Sequence, residues 1–155
     1  VFDIDDTILG FGSLDSNEAR FANDTDGSSV DVPAHNITVG ANASNGYTLS
    51  VSGSTLTSVT TPTNTISEIG GTAVTSSTGT EQFGLMMVAT GGTGVVSAPY
   101  ATASNFAYSS GTTVASASGP TVNTVYATHY IANIAPITEA GDYATVLTYA
   151  VVANF

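Results

Sequence analysis

DYATVLTYAVVANF, running from Asp142 to Phe155, reads with a period of two. Tyr143, Thr145, Leu147, Tyr149, Val151, Ala153 and Phe155 share one face, and Ala144, Val146, Thr148, Ala150, Val152 and Asn154 share the other. Successive side chains of a strand point to opposite faces, so this is a strand pattern. The odd face is aromatic and belongs to a core. The even face is more than half apolar, which a strand wetted on one side does not need. The expectation is a central strand, or one whose second face meets another subunit. Glu139-Ala140-Gly141 forms the turn before it, and TVNTVYATHYIANI (Thr121–Ile134) is a second long run of β-branched and aromatic residues.

Shorter strands are expected to pack onto this pair. Phe2, Ile4 and Ile8 share a face of a first strand, interrupted by Asp6 and suited to a sheet edge, where acids discourage unwanted pairing. Asp15-Ser-Asn-Glu18 has the spacing of a capping box, so Asn17–Ala22 reads either as one helical turn or as a short strand. Asn23–Ser29 is a turn, and Val30–Gly40 a strand with Pro33 near its start. Asn42–Gly46 reads as a hairpin loop, which would set Ile37 and Val39 opposite Tyr47, Leu49 and Val51. Further strands are expected near Leu56–Thr60, Thr65–Ile69, Gln82–Ala89, Asn105–Tyr108 and Thr112–Ala115, with Thr72–Thr80 a polar loop. The glycine-rich stretch Thr90–Ser97 has neither the Lys of a phosphate-binding loop nor a helical pattern after it. The sum is an all-β chain: one immunoglobulin-like, Greek-key β-sandwich domain over residues 1–155, with about nine or ten short strands.

Composition narrows function by exclusion. Hydrophobic residues make up 42% and charged residues 8%, far from the quarter usual for a globular chain. The formal net charge is −11, with Arg20 the only cationic side chain apart from two histidines. Binding to nucleic acid or to an anionic membrane surface needs cations that this chain lacks. There is no cysteine, hence no disulfide and no thiolate metal site. No run is long and apolar enough for a membrane span, and a start at Val1 without a basic leader fits a processed, exported chain found in the medium or on the cell surface. Asn23, Asn36 and Asn42 open glycosylation sequons.

Catalytic chemistry is not legible, and no enzyme activity is expected. His35 and His129 are the only imidazoles, and no pattern joins them to a nucleophile or to Glu81 or Glu139. Asp24, Asp26 and Asp31, with Gly27 between them, mimic part of a calcium loop, but Ala22 stands where a first ligand would be. No cofactor is expected, with calcium at this loop the one candidate, weighed against a solvated acidic turn. Tyr100, Tyr108, Tyr126 and Tyr130 could stack on sugars, weighed against core positions.

Three passages carry a resemblance: ILGFGSLDSNEARFA (Ile8–Ala22), HNITVGANASNGYTLSVSG (His35–Gly53) and IAPITEAGDYATVLTYAVVANF (Ile134–Phe155). Together they resemble small exported β-sandwich surface proteins of candidate-phyla bacteria and, more distantly, secreted pilin-type domains of the spore coat U kind. The chain departs from the second group in having no cysteine. The resemblance implies a sandwich fold and a surface location, and no catalytic residue. With the composition, it leads to the expectation of an extracellular subunit that assembles non-covalently into a filament, pilus or surface layer, by strand-edge pairing or donor-strand complementation. Phe2, Ile4, Ile8, Tyr149, Val151 and Phe155 are the expected polymer interface. A secreted carbohydrate- or surface-binding adhesin, with glycans as partners, is the alternative.

Overall fold

The computed structural model covers Val1–Phe155 and contains strands and no helix. The strands are β1 (Phe2–Ile4), β2 (Arg20–Phe21), β3 (His35–Ala41), β4 (Tyr47–Ser52), β5 (Thr57–Ser58), β6 (Gly70–Thr75), β7 (Gln82–Gly91), β8 (Val95–Val96), β9 (Asn105–Tyr108), β10 (Thr112–Ala117), β11 (Thr121–Asn133), β12 (Tyr143–Ala144) and β13 (Thr148–Ala153). A large sheet runs β1-β3-β11-β7-β9-β6, and β2 joins β11 where β3 ends. A small sheet runs β13-β4-β10-β8, and β12 pairs with β5 alone. No strand pairs with its immediate neighbour in sequence. The two-layer all-β architecture is the one the patterning predicts. The Greek-key part of that expectation needs hairpin-linked strands, and none occurs.

β11 is the centre of the large sheet. Its thirteen residues carry Tyr126, Thr128, Tyr130 and Ala132 inward, all buried. β-branched and aromatic side chains suit such a position because they pack against neighbours on a pleated surface. Opposite them, the small sheet turns Tyr47, Leu49, Val51, Val114 and Ala117 inward. The two layers are joined by a hydrogen bond between the Tyr47 and Tyr126 hydroxyls, 2.6 Å apart and buried. Burial and this contact push the Tyr126 hydroxyl pKa far above its ordinary value.

Several expectations change. Ile37 and Val39 do face Tyr47, Leu49 and Val51, but across the sandwich core and not across a hairpin, because β3 and β4 lie in different sheets. The loop Asn42–Gly46 is an arch between layers. Gly46 makes the arch possible: its φ is +73°, and a Cβ there would sit 2.0 Å from the Ala117 carbonyl oxygen. Period-two patterning fixes which face a residue takes, and both pairings satisfy it equally. Gly70–Thr75 is a strand where a polar loop was expected, and Thr65–Ile69 contributes only a bridge from Thr65 to Thr57 and another from Glu68 to Phe83. The strand expected from Val30 begins at His35, and Asn17–Ala22 contains a short strand and no helix.

The C-terminal stretch is also corrected. Alternation persists, with Tyr143, Thr145, Leu147, Tyr149 and Val151 half-buried and the intervening residues exposed. Yet the stretch is split into β12 and β13, and β13 is the outer strand of the small sheet, not a central one. Its apolar second face, with Val146 and Val152 81% and 61% exposed, meets solvent. The outer face of the large sheet is different. There Phe21, Met86, Phe106 and Ile131 form a separate buried cluster, packed against by Ala19 and Ile69.

Candidate functional site

Two features stand out: a groove entering the sandwich and the bare β13 edge beside it. The groove encloses about 740 Å³. One wall is the segment 6–14 that follows β1, and the other is the segment 134–145 with the start of β13. Leu9, Phe11, Leu14, Ile134, Tyr143 and Leu147 are half-buried, packing against the core on one side and lining the groove on the other. Phe11 meets the buried Phe83 edge-on, with ring centroids 6.5 Å apart.

At the floor lies a chain of hydrogen bonds. His35 Nδ1 is 3.0 Å from the Asp6 carbonyl oxygen, and its Nε2 is 2.9 Å from the Tyr130 hydroxyl. A carbonyl can only accept, so Nδ1 carries the proton and donates to Asp6. Nε2 then accepts from Tyr130, and the Tyr130 oxygen accepts from the Tyr149 hydroxyl at 2.5 Å. Burial holds the His35 pKa below its ordinary value, against the pull of its bond to Asp6 and the nearby Asp5 and Asp6 carboxylates. Burial likewise raises the Tyr130 and Tyr149 hydroxyls well above theirs. The chain is therefore neutral at physiological pH, and its partners are internal. That is an arrangement for rigidity, and it ties β3, β11 and β13 together.

The groove's charged lining is wholly acidic: Asp6, Glu139 and Asp142. Arg20 does not reach it; its guanidinium donates to the carbonyls of Phe11 at 3.0 Å and Asp26 at 2.8 Å. The N-terminal ammonium donates to the Gly40 carbonyl at 2.7 Å. The wall 134–145 is anchored by Glu81, whose carboxylate accepts from the Thr138 hydroxyl at 2.7 Å and the Ser67 hydroxyl at 2.9 Å. These bonds, the Thr138 bond first, lower the Glu81 pKa. Tyr143 donates to the Glu139 carbonyl at 2.8 Å, and its hydroxyl pKa is raised by desolvation and by the Glu139 charge.

The three aspartates named from sequence do not converge. Asp24 and Asp26 are exposed in a loop organised by Asn23, whose side-chain oxygen accepts from the Thr25 and Gly27 amides at 2.9 and 2.8 Å. Asp31 instead bonds His129 Nδ1 at 2.6 Å. No set of three His, Cys, Asp or Glu side chains is placed to hold a metal ion. Asp5 and Asp6 border one shallow depression with Asp24, and both Asp5 oxygens accept from Asn36, through its amide at 2.7 Å and its side chain at 2.8 Å. The two histidines lie on opposite faces of the large sheet, since His35 pairs with inward Thr128 while His129 points outward beside Met86. The four tyrosines considered for sugar stacking, Tyr100, Tyr108, Tyr126 and Tyr130, are all buried, and of them Tyr130 alone reaches the groove, at its floor.

The six residues expected at a polymer interface divide. Phe2 and Ile4 pair with Val39 and Ile37 on the edge strand β1. Ile8 and Phe155 are 82% and 88% exposed. Tyr149 and Val151 turn inward onto the core, so β13 shows solvent Thr148, Ala150 and Val152 instead. The sequence pattern placed Tyr149 at a polymer interface and gave no sign of its contact with His35 and Tyr130, which depends on a strand order that no local pattern encodes. No helix is long and apolar enough to cross a membrane. No family model, curated protein or solved structure matches this chain.

Proposed function

We propose that this chain is an extracellular structural subunit that self-assembles non-covalently, into a filament, pilus or surface layer, through pairing of strand edges. The observation that carries the reading is the state of β13. Four strands end the two main sheets, and three of them are blunted. β1 is three residues long and bears Asp3, with Asp5 just after it. β6 meets β9 with a register break between Gly70 and Val74. β8 has two residues. β13 alone runs six residues in unbroken register against β4. From Tyr143 to Phe155 it has no charge, proline or glycine. A long, regular, uncharged edge is the feature that proteins ordinarily suppress to stay monomeric.

Charge points to the same place. At −11 per copy, subunits repel one another. The outer face of the small sheet presents Thr48, Ser50, Ser52, Thr113, Ser116, Thr148, Ala150 and Val152, with no carboxylate. Two copies meeting there bring no acids into contact. The alternative, a secreted carbohydrate- or surface-binding adhesin, has lost its tyrosines to the core and rests on the groove alone.

Negative-stain microscopy and sedimentation of the purified chain test the proposal, alongside Ala150→Lys, which places a charge on the exposed edge. Ordered polymers from the parent chain and monomers from the variant are the expected result. Monodisperse small particles from the parent chain across a concentration series would overturn it.

A further inference from the structure

We infer that the groove between segments 6–14 and 134–145 is a binding site for an organic ammonium ion, an amine or quaternary ammonium group carried on an apolar body. Its volume, about 740 Å³, lies in the range of small-molecule sites, roughly 300 to 1,000 Å³. Three properties set the ligand's chemistry. Aromatic rings line it: Phe11, Tyr143 and Tyr149 half-buried on its walls, Phe83 and Tyr130 at its floor. Such rings present negative faces that attract cations, most strongly where water is excluded. Next, Asp6, Glu139 and Asp142 supply its only formal charges. The Glu139 and Asp142 carboxylates have no hydrogen-bond partner within the chain, so they are free to face a ligand. Finally, no cation lines the groove: Arg20 lies behind the wall, bound to the Phe11 and Asp26 carbonyls, and the N-terminus is bound to the Gly40 carbonyl.

That last point also excludes a second copy of the chain as the occupant. Its one Lys or Arg, Arg20, is a guanidinium already bonded to two carbonyls, and the Val1 ammonium is bonded to the Gly40 carbonyl. An anionic ligand would meet only repulsion. A neutral apolar ligand would fill the floor and leave the carboxylates unused. The inference is independent of self-assembly and applies to a single subunit.

The test is a titration of the monomeric chain, followed by backbone amide NMR, at an ionic strength near 0.15 M, where the Debye length of about 8 Å screens distant charges. Phenylpropylammonium, phenylpropanol and phenylpropionate share a body and differ in the head group. The expected result is saturable shifts of amides in segments 6–14 and 134–149. The ammonium should have a Kd about tenfold or more below the alcohol's, and the carboxylate should not bind. Glu139→Gln with Asp142→Asn should erase most of that preference. Asp24→Asn with Asp26→Asn removes the same charge away from the groove and should preserve it. Tyr143→Leu should weaken the ammonium several-fold and spare the alcohol. Equal binding of ammonium and alcohol, equal loss in both double variants, or shifts outside these segments would each overturn the assignment. The probe series on the parent chain decides the matter even where a variant fails to fold.

Discussion

β11 and β13 look alike as sequence and differ entirely as structure. Both are runs of β-branched and aromatic residues whose two faces are each substantially apolar. β11 lies between β3 and β7, with β2 taking the place of β3 near its end, and its outward Ile131 is fully buried among Phe21, Met86 and Phe106. β13 pairs on one side only, and its outward Val152 is 61% exposed. An apolar second face therefore shows that a strand can be covered without showing by what. In β11 the chain covers itself: Phe21, Met86 and Phe106, from neighbouring strands of the same sheet, crowd around Ile131, and Ala19 and Ile69 pack against them. Gly84 makes room for that cover, since a Cβ there would lie 2.7 Å from the end of the Ile69 side chain. For β13 no segment of the chain plays that part.

The largest effect that this contrast predicts is at Tyr126. Replacing it by Ala removes a fully buried ring from the inner face of β11 and strands the Tyr47 hydroxyl that it bonds. Large aromatic-to-Ala changes in a core lower stability by about 3–5 kcal/mol, and the widowed hydroxyl adds to that. Urea unfolding should show the midpoint collapse. Ile131→Ala comes next and bears directly on the comparison. Though it lies on the outer face, it should cost about 2–4 kcal/mol, as a core position does. A loss under about 0.5 kcal/mol, the scale of surface substitutions, would mean that the cover over β11 is loose and the two strands differ less than they seem to.

A third effect concerns the bond by which β13 is tied back to the large sheet. His35 is buried and neutral, with its folded pKa below the unfolded value near 6.5. Above that value neither state is protonated and the group does not affect stability. As pH falls through it, the unfolded chain takes up a proton that the folded chain refuses, so stability drops until the depressed folded value is passed. Asp5 and Glu81, whose pKa values are also lowered, give a decline of the same sign, but in a separate, more acidic window, as pH falls below their unfolded values. Urea midpoints measured from pH 8 down to about 5 should therefore decline, and His35→Gln should flatten the decline. An unchanged slope in the variant would remove His35 as its source.

Much of this fold was legible in the sequence, and the limits have a common cause. Alternation identified the strands of the two long runs and assigned their faces correctly, because the side-chain period is a property of each residue's own backbone. It identified Ile37, Val39, Tyr47, Leu49 and Val51 as facing one another. It did not distinguish a hairpin from an arch, since the two place the same side chains in contact and differ only in which backbone groups pair. Strand order fails for the same reason: with no pairing between sequential strands, every ladder joins distant segments. The groove was invisible because its walls come from residues 6–14 and 134–145, which only the tertiary fold brings together. Asp31 illustrates the converse. Its spacing from Asp24 suggested a shared ion, and its actual partner, His129, lies 98 positions away.

The smallest effect on stability, and the one most diagnostic of β13, is at Ala150. Its side chain points to solvent from an edge strand, opposite Ser50. Lysine there has a long stem that can lie along the neighbouring threonines, and its ammonium stays in water. The monomer should change by no more than about 0.5 kcal/mol in urea unfolding. Assembly should respond differently. Two copies joined along β13 would bring two such lysines close together, and lysines at an exposed edge are one of the devices by which sheets avoid one another. A stability change well above that bound would show Ala150 to be packed and β13 to be covered as β11 is. An unchanged monomer with unchanged polymers would move the contact to another edge. An unchanged monomer that no longer polymerises would mark β13 as the strand that a second copy covers, in contrast to β11, which is covered by its own chain.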